Sequence, residues 1–374
     1  MLKSYLLVVC LLLVFFSCKK EENIVIKGEI ENLEYPYILA SYNSSDSLAI
    51  DTIEVKEKGK FNYVSTIDTL TVVTLHFNNN NSSAVIFADK GQKLSVKGDA
   101  QLPDLIRVTG NPINDELTSF KIENETLLKQ RGQLLVNLQQ AAAADSAVAR
   151  NLAINDENVK INALNHELTQ KAEDYIKENP EKMSSLVLIN DFFTNGENPQ
   201  ALQRVLGYLK GDVTKTQIAN RLKMFSEKIN RSAEGELAPY FQATDKNGKT
   251  IHPNDFRGKY VLLSFISAAG RASRETVEVL KSTYNEVGKD SVQFVSIYVD
   301  SDSLPVEYPE TDSIPWTIVA EKESWGSDIV QSYNIQYIPF NVLISPEGRI
   351  KDRNIPAQEI AQAIKRSKSD NNSK

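Results

Sequence analysis

Cysteine is nearly absent from this chain. Its 374 residues hold two, Cys10 and Cys18, both within the first twenty, so everything from Lys19 to Lys374 is free of thiols. That excludes a disulfide framework and a thiolate metal site from the body of the chain. Histidine is almost as scarce. His76, His166 and His252 each stand alone, so a histidine-rich metal centre would need three distant residues to converge, and no cofactor is expected. A basic excess is missing too: 42 Lys and Arg face 49 Asp and Glu, for a net charge of −7. With nothing to release phosphate counterions in quantity, nucleic acid is not an expected partner. The apolar run at the amino terminus, Leu6 to Phe16, falls short of the roughly twenty residues that span a bilayer.

What is present is the composition of ordinary globular protein, 41% hydrophobic and 24% charged, at a length that suggests two or three domains. Lys3 followed by the Leu6–Phe16 run reads as a signal peptide over residues 1–17. Its end, Phe15-Phe16-Ser17-Cys18, resembles the lipobox of bacterial lipoproteins, although Phe15 stands where that motif usually has Leu. The resemblance implies a lipid on Cys18, which becomes the mature amino terminus and holds the protein to the membrane. Several acyl chains make such an anchor stable, at roughly 0.8 kcal/mol per buried CH₂. Lipidation uses the Cys18 thiol, and Cys10 leaves with the signal peptide. Residues 18–23 form the tether. Its Lys19-Lys20-Glu21-Glu22 resembles a signal that sends some Gram-negative lipoproteins to the outer face of the outer membrane. It reads equally as a solvated charged spacer, so a periplasmic and a surface location both stand.

Residues 24–112 read as β structure. Short runs rich in β-branched residues recur about every ten positions: Ile24–Ile30, Tyr37–Tyr42, Ser47–Val55, Phe61–Val64, Leu70–Phe77, Ala84–Phe87 and Leu94–Val96. Turn residues punctuate them, and Asn78–Asn81 reads as a plain hairpin tip. The pattern predicts an antiparallel sandwich-like domain. Three features resemble the small β domain of unknown function that precedes thioredoxin domains in Gram-negative envelope lipoproteins. They are Lys27-Gly28-Glu29-Ile30, Ile50-Asp51-Thr52 ahead of Gly59-Lys60-Phe61, and Val108-Thr109-Gly110 leading to Asn114-Asp115-Glu116-Leu117. That family implies no reaction.

Residues 113–232 read as helical. Leu127, Leu128, Leu134, Leu135 and Leu138 repeat at helical spacing and Ala141–Ala144 continue it. Further helices are predicted at Val159–Lys177, Ser184–Phe193, Pro199–Leu209 and Thr214–Ile229. Phe192-Phe193 reads as core rather than as a ligand stack. The segment is expected to be a linker bundle between two domains.

From Gly235 the period changes to that of an α/β unit with a mixed sheet, spanning 235–370. Its ordered words are Ala238-Pro239-Tyr240-Phe241, Lys246-Asn247-Gly248-Lys249, Phe256-Arg257-Gly258-Lys259, the buried strand Val261–Phe265, a helix with Val277, Leu280 and Tyr284 on one face, the strand Val292–Val299, Tyr337-Ile338-Pro339, the strand Phe340–Ile344 and a last helix near Ala357–Arg366. They resemble the thioredoxin-like family of membrane-anchored thiol-disulfide oxidoreductases and peroxiredoxins. The whole chain is thus expected to be an α+β multidomain protein: an antiparallel β sandwich-like domain, a helical linker bundle and a C-terminal α/β thioredoxin fold.

In active members of that family the first strand runs into Trp-Cys-x-x-Cys at a helix N-terminus, where the dipole and free N–H groups favour the thiolate. Here Ala269 replaces the tryptophan, and Gly270, Arg271, Ala272 and Ser273 occupy the four motif positions. Ser273 has no histidine in the following sequence to deprotonate it, so it reads as a first-turn or capping serine rather than a nucleophile. Pro339 matches the family's cis proline, beside which active members pair an extended substrate, and Ile338 precedes it. Arg271 and Arg274 read either as a spot for a carboxylate or phosphate or as solvated surface arginines. Three functions follow from these residues. The first is a binding or assembly module whose groove at Gly270–Ser273 and Pro339 takes a protein or peptide partner. The second is a part in envelope thiol-disulfide traffic without chemistry of its own. The third is an enzyme of non-thiol chemistry, which requires a polar cluster not visible in the sequence.

Overall fold

The computed structural model describes residues 23–44, 47–67, 69–142, 147–194, 198–287, 292–299, 313–321 and 323–372. The signal segment and Cys18 lie outside the described residues. The chain divides into two compact units.

The first unit opens with eight strands: β1 (Ile24–Glu31), β2 (Tyr37–Asn43), β3 (Leu48–Glu54), β4 (Lys60–Ser65), β5 (Thr71–Phe77), β6 (Ser82–Ala88), β7 (Lys93–Asp99) and β8 (Arg107–Thr109). They form two four-stranded sheets, ordered β4-β1-β7-β8 and β3-β2-β5-β6. Alternate residues turn inward, as in β4, where Phe61, Tyr63 and Ser65 are buried and Lys60, Asn62 and Val64 are exposed. Ile24, Ile26, Ile38, Leu75, Ile86 and Val96 fill the space between the sheets. One pair departs from the expected antiparallel pattern. β7 lies parallel to β1, with Val25 opposite Lys93 and Glu31 opposite Asp99. The chain reaches β7 by a crossover through the other sheet, and such a connection is what a parallel neighbour requires.

The family motifs acquire reasons here. Gly28 pairs with Phe61, and a Cβ at residue 28 would meet the Phe61 ring at 2.2 Å. Gly59 adopts φ +71°, in contact with the Ile30 carbonyl. Asn78 is no plain tip residue. It is buried, accepts from the Glu34 N–H at 2.8 Å and donates to the Asn32 carbonyl at 3.1 Å.

Helix α1 (Pro112–Glu123) starts on Asn111, whose side chain accepts from the Asn114 N–H at 2.9 Å. Its first turns then close the open edges of both sheets. The Asn114 carboxamide accepts from the Phe87 N–H at 3.0 Å and donates to the Phe87 carbonyl at 2.7 Å, on edge strand β6. One turn on, the Thr118 hydroxyl accepts from the Val108 N–H at 3.0 Å and donates to the Val108 carbonyl at 2.6 Å, on edge strand β8. Each side chain thus serves as a missing neighbour strand for one residue. Helices α2 (Glu125–Ala142), α3 (Ala147–Glu178) and α4 (Met183–Phe193) complete this unit with the segment Tyr208–Thr216.

The expected linker bundle is therefore not a body of its own. Its last two helices, α5 (Pro199–Leu206) and α6 (Gln217–Asn230), pack together in the second unit. The predicted start at Thr214 moves to Gln217 because Gly211–Lys215 winds as a 3₁₀ turn.

The second unit continues with the small hairpin β9 (Ala243–Thr244) and β10 (Thr250–Ile251), then β11 (Tyr260–Ile266), helix α7 (Arg271–Val287), β12 (Val292–Tyr298), β13 (Thr317–Ala320), helix α8 (Asp328–Ser332), β14 (Phe340–Ile344), β15 (Ile350–Arg353) and helix α9 (Ile360–Asn372). Five strands form one mixed sheet, ordered β13-β12-β11-β14-β15. The pairs β11–β12 and β12–β13 are parallel, and β11–β14 and β14–β15 are antiparallel. Leu263, Phe265, Ile297 and Val342 face one core, and Leu262, Ile266, Phe294 and Leu343 face the other, under α7 and α9. β13 and α8 have no counterpart among the predicted elements, each being four or five residues long.

Candidate functional site

Every residue of β11 is buried, as a central strand covered on both faces requires. It ends at Ile266, and the chain turns through Ser267–Gly270 into α7. Phe265 pairs with Phe340, the first residue of β14. The antiparallel register brings the turn after β11 and the residues just before β14 to the same end of the sheet. Those residues are Ile338 and Pro339, and the peptide bond between them is cis. The turn after β11 and the cis proline thus lie at one end of the sheet.

The turn is held by its own polar groups. The Ser273 side chain is 2% exposed, and its hydroxyl accepts from the Ser267 N–H at 3.0 Å. The Ser267 hydroxyl accepts from the Ala269 N–H at 3.2 Å. Arg274 donates to the carbonyls of Ala268, at 3.3 Å, and Ala269, at 2.8 Å. Arg271 pairs with Glu275 at 2.9 Å on the exposed side of α7. One guanidinium thus ties down the turn, and the other is engaged along its own helix.

No histidine is bonded to Ser273 among the described residues. His252 precedes the other end of β11, where its ring stacks on Tyr240 and bonds the phenol at 2.7 Å. His76 bonds Ser41 and Asn80 in the first unit, and His166 bonds Gln170. Ser273 is a positioning serine of the turn.

Gly270 leaves a space with a definite size. A Cβ built on it would stand 3.7 Å from the Ser273 Cβ, 3.6 Å from the Ser267 Cβ and 3.4 Å from the Ser273 hydroxyl. These are ordinary contacts. Ala269, Arg271 and Ala272 are exposed around it, with Ile338 and Pro339 half-buried across the sheet end. The surface offered is small, mostly apolar and uncharged apart from the arginines.

Two features escaped the sequence reading. One is a polar row beneath the turn, on three adjacent strands: Ser296 of β12 pairs with Ser264 of β11, which pairs with Asn341 of β14. All three are buried. Trp316 donates to Ser296 at 2.9 Å and Asn341 donates to the Ile355 carbonyl at 2.8 Å. The Ser264 hydroxyl and the Asn341 side-chain oxygen have no hydrogen-bond partner, an unusual state for buried polar atoms. The signal was a small polar residue inside each of three largely apolar strands. The second feature is a cavity of about 330 Å³ lined by Gln200, Glu234, Asn334, Tyr337, Phe340 and Arg353. Arg353 braces it. Its guanidinium donates to the carbonyls of Ser232 and Tyr333 and lies 5.2 Å over the Phe340 ring, and burial holds it below the usual arginine range. Tyr337 and Phe340, which flank Ile338-Pro339, join this cavity to the site.

One carboxyl near this sheet end is perturbed. Glu321 follows β13 and is held above the usual range by burial, and then by the charges of Glu323 and Asp328.

Two parts of this chain are similar to known proteins. Residues 235–353 match the AhpC/TSA family, and residues 24–117 match a domain of unknown function, DUF4369. The thiol-disulfide oxidoreductase ResA of Bacillus subtilis is 24% identical over 119 residues, 32% of this chain and 65% of that protein. ResA of Geobacillus kaustophilus is 27% identical over 128 residues, 34% of this chain and 71% of that protein. The chain thus spans about two thirds of the length of these curated relatives. Among solved structures, the thioredoxin domain of a thiol-disulfide oxidoreductase from Bacteroides vulgatus is 27% identical, with 36% of this chain and 96% of that one covered and a TM-score of 0.32. A thioredoxin-like protein from Bacteroides caccae is 18% identical, with 55% and 81% covered and a TM-score of 0.40.

Proposed function

Because residues 235–353 are a thioredoxin-like domain of the AhpC/TSA family, carried behind a DUF4369 domain, we propose that this domain works as a redox-silent binding module. Its groove, between the Ser267–Gly270 turn and Ile338-Pro339, takes an extended segment of a protein or peptide partner. The chain carrying it is a lipoprotein of the Gram-negative envelope, held to the outer membrane through lipid on Cys18. The observation that carries the reading is a frame kept without its reagent. The turn, the helix start and the cis proline stand together, yet no cysteine follows Cys18. Thiol-disulfide exchange requires a thiolate, while a groove needs only its walls.

A second reading, a part in envelope thiol-disulfide traffic through a partner's cysteines, is favoured by the names of the relatives, which are thiol-disulfide oxidoreductases. In that case the bound segment belongs to an oxidoreductase or to its client.

The test is binding of an immobilised, reduced and S-carboxymethylated polypeptide, read by surface plasmon resonance. The native chain binds, and Ala269→Glu, which puts a charge on the exposed turn without entering the core, weakens binding at least tenfold. Equal binding by both proteins, or none by the native chain, overturns the groove as the working surface.

A further inference from the structure

The first unit holds a cavity of about 370 Å³ between the outer face of β6 and helices α1, α2 and α4. Its apolar wall is built by Val85, Phe87, Phe120, Leu188 and Phe192. Phe120 and Phe192 meet edge to face at 6.1 Å. The expected aromatic pair is thus divided: Phe193 is buried in the core, and Phe192 faces the cavity.

Four ionisable side chains also line this space, and only two of them pair. Arg131 places two nitrogens on one oxygen of Asp104, at 2.6 and 3.2 Å. Lys121 donates to the Ile106 carbonyl at 2.9 Å and has no carboxylate within ion-pair distance among the described residues. Asp191 accepts from the Asn190 carboxamide at 3.2 Å and has no cation within ion-pair distance among the described residues. Burial pushes the Lys121 ammonium down and the Asp191 carboxyl up from their usual ranges. One half-buried cation, Lys121, and one anion on the exposed rim, Asp191, therefore border the cavity without touching.

We propose that this cavity is a binding site for a small zwitterion with apolar side chains, a hydrophobic amino acid or dipeptide, whose carboxylate meets Lys121 and whose ammonium meets Asp191. A purely apolar ligand would leave both charges unpaired in a drier site than before, which is costly. An anion alone would satisfy Lys121 and face the Asp191 carboxylate. A zwitterion satisfies both ends by charge-assisted hydrogen bonds and lays its side chains on the aromatic walls. The volume suits a dipeptide of large residues. The site is independent of the thioredoxin-like groove.

The test is isothermal titration calorimetry of the purified full chain with the dipeptide Leu-Phe, its N-acetyl form, its C-terminal amide and the doubly blocked form. Leu-Phe binds, and each singly blocked form binds at least tenfold more weakly. Asp191→Asn removes the preference for the free ammonium, and Lys121→Met removes the preference for the free carboxylate. Asp191→Asn changes a rim residue with little change of shape, so it decides the question even where Lys121→Met fails to fold. Absence of Leu-Phe binding at millimolar concentration, or equal binding of all four compounds, overturns the proposal. Retained binding of the N-acetyl form alone overturns it in favour of a plain anion site.

Discussion

A Cβ on Gly270 would lie 3.7 Å from the Cβ of Ser273, inside the 3.5–4.5 Å range that a disulfide spans. The turn has therefore kept the spacing of a cysteine pair while holding neither cysteine. Gly270→Cys/Ser273→Cys is expected to close a disulfide on oxidation and to reduce insulin with dithiothreitol as electron donor. Thiol titration checks the bond and insulin turbidity checks the activity. A pair that titrates as two free thiols after oxidation would show that the turn has drifted from that geometry.

Ser273 carries a structural duty that is separable from chemistry. Ser273→Ala removes the acceptor of the Ser267 N–H and is expected to cost about 1 kcal/mol. Chemical denaturation followed in the second unit measures it.

The raised Glu321 carboxyl gives a pH signature. It binds its proton more tightly folded than unfolded, so the folded state loses stability as pH rises from the ordinary value of 4.5 through the raised one. Glu321→Gln is expected to be more stable than the native chain at pH 7. That advantage shrinks on acidification and vanishes below pH 4.5. Thermal melts at pH 4 and pH 7 decide it.

Asn114 and Thr118 hold the edges of the two sheets. Asn114→Leu strands the N–H of Phe87, a buried residue of β6, while the Phe87 carbonyl keeps the Asn111 carboxamide at 2.7 Å. It is expected to destabilise the first unit by about 1–3 kcal/mol, the cost of one stranded buried group. Thr118→Val acts in the same direction at Val108. Urea denaturation of the full chain, read by far-UV circular dichroism, reports both.

Much of this architecture was legible because hydrophobic period carries it. The seven expected strands of the first domain all form, and β11, β12, β14 and α7 lie where the buried runs placed them. The cis proline and the turn were legible through resemblance, since Ile338-Pro339 and the missing cysteines are features of local sequence. What stayed hidden depends on partners far along the chain. The parallel β1–β7 pair follows from a crossover, which strand period does not encode. Asn114 was readable as part of a motif and Thr118 was not, and their work on Phe87 and Val108 exists only once the sheets are built. The partners of the two arginines, the Ala268 and Ala269 carbonyls and Glu275, were hidden because they depend on side-chain direction. The row Ser296–Ser264–Asn341 was hidden because each serine or asparagine is unremarkable within its own strand.

Insulin reduction by the native full chain tests the central claim most directly. With dithiothreitol supplied, the account predicts precipitation no faster than in buffer alone, because no thiolate stands at Gly270–Ser273. Precipitation above that background from the native chain would contradict a redox-silent domain.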